Sequence, residues 1–248
     1  IVKQGSGTVI LSNTNTFSGS ATIMAGTLSI SAAANLSSAS NVDISSSGTL
    51  QSTGSFSLVP TVSLAAGSSI DVTGANNFTI PTVISGVGGS LTKTGAGSLI
   101  VSGANTYSGA TTINAGTLAL TGAGRLASAT SVTLTGASST LDLSAGANQT
   151  VTHLSGVAGS RVVLNGSALT LADDSSQTFT GSLSGNGSLI KQGTGTLTLN
   201  GVSSGFSGST TVAGGTLAVG DAANASAVLG GNVLVNAQGT LRGHGTVS

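Results

Sequence analysis

Apolar residues in this chain recur at every second position over short runs, and glycines cut the runs apart. Val42 and Ile44, Val62 and Leu64, and Ile70 and Val72 keep this beat, as do Val132 and Leu134, Leu141 and Leu143, Val162 and Leu164, and Leu169 and Leu171. Alternation of this kind puts each pair on one face of a β-strand. Leu50, Val151 and Leu154 continue the pattern, and Gly48, Gly54, Gly67 and Gly74 fall between strands. Short strands separated by turn signals at intervals of about 8–12 residues describe a β architecture with frequent corners. Pro60 and Pro81, the only prolines, belong at corners or strand starts, where a missing N–H does no harm.

The pattern contains a repeat. Lys93–Leu120 reads KTGAGSLIVSGANTYSGATTINAGTLAL, and close copies stand at Lys3–Ile30 and, with one residue inserted, at Lys191–Val219. The first copy predicts strands at Thr8–Leu11, Ala21–Ala25 and Thr27–Ile30, the last two parted by Gly26. The positions that recur are Lys3, Gly5, Gly7, Phe17, Gly19 and Gly26, then Lys93, Gly95, Gly97, Tyr107, Gly109 and Gly116, then Lys191, Gly193, Gly195, Phe206, Gly208 and Gly215. Val233–Val235 and Thr240–Leu241 predict two further strands at the end. Self-similarity on this scale signals stacked units. The expected fold is an all-β, right-handed parallel β-helix of roughly ten to twelve turns. Residues 1–248 are expected to form one such segment of a longer chain, with the Lys-to-Lys periods covering about four turns each.

Composition sharpens this picture. Charged residues make up 5% of the chain, Glu is absent, and glycine supplies 39 positions, against about 25% charged residues in an ordinary soluble domain. Thr, Val, Ile and Gly favour strands and turns over helix. Mean hydropathy of +0.41 with zero net charge supplies enough apolar surface for a core and argues against disorder. Balanced, scattered charge gives no electrostatic basis for a nucleic-acid partner or an anionic membrane. The chain has no cysteine, which excludes disulfides, a thiol nucleophile and cysteine-bound metal. No stretch approaches the roughly 20 apolar residues of a spanning helix.

Candidate chemistry is sparse. The acids are Asp43, Asp71, Asp142, Asp173, Asp174 and Asp221, and the histidines are His153 and His244. Only Asp173 and Asp174 are adjacent, and a turn accounts for them better than general acid–base work. Phe17, Tyr107 and Phe206 share one repeat position and read as hydrophobic plugs under a polar loop. Lys3, Lys93 and Lys191 read as solvated corners. The K-x-G-x-G glycines are expected to supply positive φ at a tight turn, and a phosphate-binding reading fails for want of a crossover helix. No catalytic residue, metal, cofactor or small-molecule substrate is expected.

The three copies resemble the passenger-associated transport repeat, the autotransporter-associated β-strand repeat of Gram-negative type V secretion. The family's pattern matches Lys93–Leu118 nearly throughout, and Lys191–Leu217 departs from it where Ser203-Ser204-Gly205 replaces the Ala-Asn-Thr. The resemblance implies a right-handed parallel β-helical passenger, exported across the outer membrane with the help of a C-terminal barrel and displayed at the cell surface. Two functions fit: a stalk that aids export and displays an adhesive or effector region, or a module that self-associates or binds a host surface or matrix ligand. A β-helical polysaccharide-acting enzyme is a remote third.

Overall fold

The structure, a computed structural model, describes residues 1–127 and 130–248. Every strand pairing in it is parallel, and register partners lie 18 to 26 residues apart, from Val228 with Thr246 to Val202 with Val228. The chain therefore coils, laying turn on turn in a β-solenoid of about 12 turns. Successive strands lie about 4.8 Å apart, so the coil extends roughly 55 Å. Strands collect into sheets of 15, 7, 5 and 3 members that form the faces of the coil. The only helical element among the described residues is a single 3-10 turn at Ala33–Asn35, and none of their helices is long and apolar enough to cross a membrane.

The inward residues stack like on like. One ladder runs Phe78, Leu99, Leu118, Leu141, Val162 and Leu183, and every member is buried. All the alternating pairs read from the sequence, from Val42/Ile44 to Leu169/Leu171, lie in the core. Burial of each such side chain contributes about 1.5–3 kcal/mol before conformational entropy is charged against it. The predicted strands at Val233–Val235 and Thr240–Leu241 are present as Asn232–Val235 and Gly239–Gly243.

Two details differ from the expectation. Ala21–Ile30 is one ten-residue strand, because Gly26 takes φ 69° and bends the strand without ending it. The repeat also runs out of phase with the turn. Lys93 lies in the 15-stranded sheet between Ile70 and Ile113, whereas Lys191 lies in the 5-stranded sheet between Leu171 and Val212. The register column from Lys93 runs through Ile113, Leu134, Gly156 and Phe179 to Leu199, so Lys191 falls eight residues (199 − 191) short of a whole turn and the equivalent lysines lie on different faces.

Corners need partners for backbone groups that leave the ladders. Buried serines meet part of that need: Ser68 Oγ lies 2.6 Å from the Ile44 carbonyl, and Ser139, Ser160 and Ser167 donate to the carbonyls of Gly136, Val157 and Leu143. Buried amides meet another part. Asn105 accepts from the Ile84 N–H, Gln149 from Leu126 and Gln177 from Leu154.

Candidate functional site

The three motif lysines are buried, with exposures of 4% at Lys3 and 0% at Lys93 and Lys191. The solvated-corner reading is therefore wrong. Strand parity explains why: Leu91 and Lys93, like Leu189 and Lys191, are two residues apart and point the same way, into the core. Each ammonium finds backbone carbonyls at the end of its aliphatic stem. Lys3 Nζ donates to Gln4, Gly5 and Ala25 at 2.9, 2.6 and 2.9 Å. Lys93 Nζ donates to Thr94, Gly95 and Ala115 at 2.6, 2.8 and 3.2 Å. In both cases two carbonyls belong to the lysine's own corner and the third to the next turn. Lys191 Nζ donates to Gln192 and Gly193 at 2.6 and 3.0 Å.

The motif glycines complete this contact. Gly5, Gly95 and Gly193 have φ of 73°, 73° and 74°, and Gly26, Gly116 and Gly215 have φ of 69°, 65° and 62°, a region that L side chains rarely adopt. The second set also packs on the preceding turn: a Cβ at Gly116 would stand 2.3 Å from the Gly97 carbonyl oxygen and 2.5 Å from that of Gly95. Gly97 itself keeps an ordinary φ and serves close approach, since its Cβ would meet the Asn76 carbonyl at 2.6 Å. The motif K-x-G-x-G, followed some twenty residues later by A-G, thus describes one clasp between two turns.

Burial pushes the Lys93 ammonium down to about 8, opposed by the charge of Asp71. Burial likewise lowers Lys191, opposed by Asp173 and Asp174. Asp71 is held in place by Gln51 and Thr94, at 2.8 and 3.1 Å.

Tyr107 and Phe206 are buried beneath their loops, and Phe17 is half-buried against the core. The Tyr107 hydroxyl lies 2.7 Å from Thr111 Oγ1, and burial pushes its pKa up to about 12. In the third repeat Phe206 carries no hydroxyl, and Thr210 Oγ1, the counterpart of Thr111, is buried without a hydrogen-bond partner. Gly19 lies in open surroundings, whereas a Cβ at Gly109 would stand 2.6 Å from the Gly89 carbonyl oxygen, and at Gly208 the Gly187 carbonyl fills the same space.

The remaining charges form no reactive centre among the described residues. His153 Nδ1 lies 2.5 Å from Asp173 Oδ2. Asp173 is nudged up by desolvation but held below the usual carboxylate range by bonds from Ser175 and His153. Asp174 turns the other way and accepts from Thr194 in the next turn, so the pair does not converge. His244 sits in a bend between Gly243 and Gly245. No group of three His, Cys, Asp or Glu side chains among the described residues has metal-binding geometry.

Outside the core, one column of hydroxyls follows the axis. Thr8, Thr27, Thr49, Ser69, Thr92, Thr112, Thr133 and Ser155 are register partners in unbroken succession. Strand parity did not single out this column, because the sequence offers hydroxyls almost everywhere.

The clasp corresponds to a known repeat. The passenger-associated transport repeat family matches residues 1–30, 91–120 and 189–219, the three segments that carry the lysines. The chain carries passenger-associated transport repeats. Over 125 residues it is 34% identical to the adhesin BmaC autotransporter of Brucella suis biovar 1 (strain 1330), a match that covers 49% of this chain and 4% of that protein. No solved structure matches the chain. The repeats and the relative together indicate an autotransporter-type, surface-exposed polypeptide exported across the outer membrane.

Proposed function

We propose that this chain is a structural passenger segment that aids its own export and holds an adhesive or effector region away from the cell. The observation that carries this reading is the clasp. Each transport repeat joins one turn to the next through a glycine contact, and the first two add a buried ammonium that bonds across the turns, so a finished turn presents a ready template for its neighbour. Stacking of this kind releases free energy turn by turn, which suits a chain that folds as it emerges. The full-length protein is proposed to carry an outer-membrane barrel, in keeping with its adhesin autotransporter relative. Among the described residues no three His, Cys, Asp or Glu side chains gather, and Asp173 and Asp174 turn to different partners, an arrangement that favours a structural role over polysaccharide chemistry. The test is surface display of the full-length protein with one repeat, residues 93–120, scrambled. Display slows markedly if the repeat aids export, and unaltered display overturns the reading.

The hydroxyl column supports a second function, lateral pairing with another rod or with a host-surface ligand. Its eight rungs carry no charge, and a near-neutral surface resists association poorly. Sedimentation of the isolated segment distinguishes the two functions. Mass that rises with concentration, and falls back when Thr112 and Thr133 are both replaced by Lys, supports pairing between rods. A constant monomer mass removes self-association.

A further inference from the structure

We propose that the motif lysine is a register lock, which uses a buried charge to select the one alignment in which the next turn presents its Ala–Gly corner. The need for such a device follows from the ladders. A one-residue slip between turns turns every apolar side chain outward, but a two-residue slip keeps the alternation intact. Around Lys93 the inward ladder is Leu50, Ile70, Lys93, Ile113 and Leu134, and the aliphatic members discriminate poorly between alignments two residues apart. The ammonium does discriminate. Thr94 and Gly95 supply two carbonyls from its own corner whatever the neighbour does, but the Ala115 carbonyl comes within reach only in the native register. Lys3 makes the same choice through Ala25. A buried charge left short of a partner is costly, which makes each wrong alignment unfavourable.

The third repeat supplies an internal contrast. There Gly214 stands where Ala115 stands in the second repeat, and both of the carbonyls that Lys191 reaches, Gln192 and Gly193, belong to its own corner. Lys191 is buried as fully as Lys93, yet its amine does not bond the next turn. The lock is therefore closed at Lys3 and Lys93 and open at Lys191.

The native chain has no cysteine, so register is readable by cross-linking. Thr92 and Thr112 are register partners, and adjacent strands bring such a pair within disulfide range. Two double variants, Thr92→Cys with Thr112→Cys and Thr92→Cys with Ala110→Cys, report the native and the two-residue-shifted alignments. Each is made with Lys93 retained and with Lys93→Met, which keeps volume and stem but not the charge. With lysine present, oxidation links the native pair. In K93M the shifted link rises roughly tenfold relative to the native one, the size expected for loss of a hydrogen bond from a charged donor, while Tm stays level or rises. Lys93→Gln is the second variant should K93M not accumulate. The matching pairs across Lys191 are Ile190→Cys with Thr211→Cys for the native register, and Ile190→Cys with Ser209→Cys for the shifted one. There Lys191→Met leaves the ratio unchanged. An unchanged ratio in K93M, or an equal response at Lys191, overturns the lock.

Discussion

The second and third transport repeats spell nearly the same motif and finish it differently. In the second, Lys93 reaches across to Ala115 and the Tyr107 hydroxyl meets Thr111. In the third, Lys191 stays within its own corner and Thr210 Oγ1 is buried without a partner under Phe206. The glycine part of the clasp is common to both: Gly116 and Gly215 take φ of 65° and 62°, and each packs on the two glycine carbonyls of the corner before it. The glycines therefore make the shape of the repeat, and the polar side chains finish it. A motif match reports the first more faithfully than the second.

Substitution at the shared part should do the most damage, and do it equally. Gly116→Val and Gly215→Val each add a Cβ within 2.5 Å of a backbone carbonyl oxygen at positive φ, and each should cost about 3 kcal/mol or more. Thermal denaturation of the two variants checks the equality. A much smaller loss at either one would mean that the two corners are not built alike.

Substitutions at the unshared part should move the repeats toward each other. Tyr107→Phe leaves Thr111 in the state of Thr210 and should cost about 1–3 kcal/mol. Phe206→Tyr gives Thr210 a partner and should gain about 0.5–1.5 kcal/mol. Denaturant midpoints at constant m-value measure both. Opposite signs confirm that the orphaned hydroxyl is the difference, and a loss at both positions would show that the Phe206 site has no room for the added oxygen.

Smaller still is the dependence on pH. The Lys93 pKa is lowered from 10.5 to about 8 in the fold. Between those values the unfolded chain binds more protons, so stability should rise with pH across that window. Tyr107 acts in the opposite sense. Its pKa is raised from 10.0 to about 12, so from pH 10 upward the unfolded chain loses the proton first and stability should fall. Tm followed from pH 7 to pH 11 should therefore climb and then decline. K93M should flatten the climb, leaving the part that Lys191, also lowered by burial, contributes, and Y107F should lose the decline.

These contrasts also mark what was legible in the sequence. The in–out alternation of pairs such as Val162/Leu164 placed the core, because period-two patterning survives in any strand buried on one face. The stacking followed from the repeat. The lysines were misread because charged residues are rarely buried, and that expectation outweighed the parity of Leu91 with Lys93. Parity was the better guide. The clasp itself was beyond reach, since its acceptors are backbone carbonyls from two turns and carry no residue signature. The out-of-phase repeat was hidden for a related reason: turn length varies between corners, and spacing alone does not show on which face a lysine emerges.

The buried ammonium is the claim on which this account rests, and titration of Lys93 followed through its Cε resonance tests it most directly. The account predicts a midpoint near 8, as burial in the corner requires. A midpoint at the 10.5 of an unperturbed lysine would place the side chain in solvent and contradict the clasp.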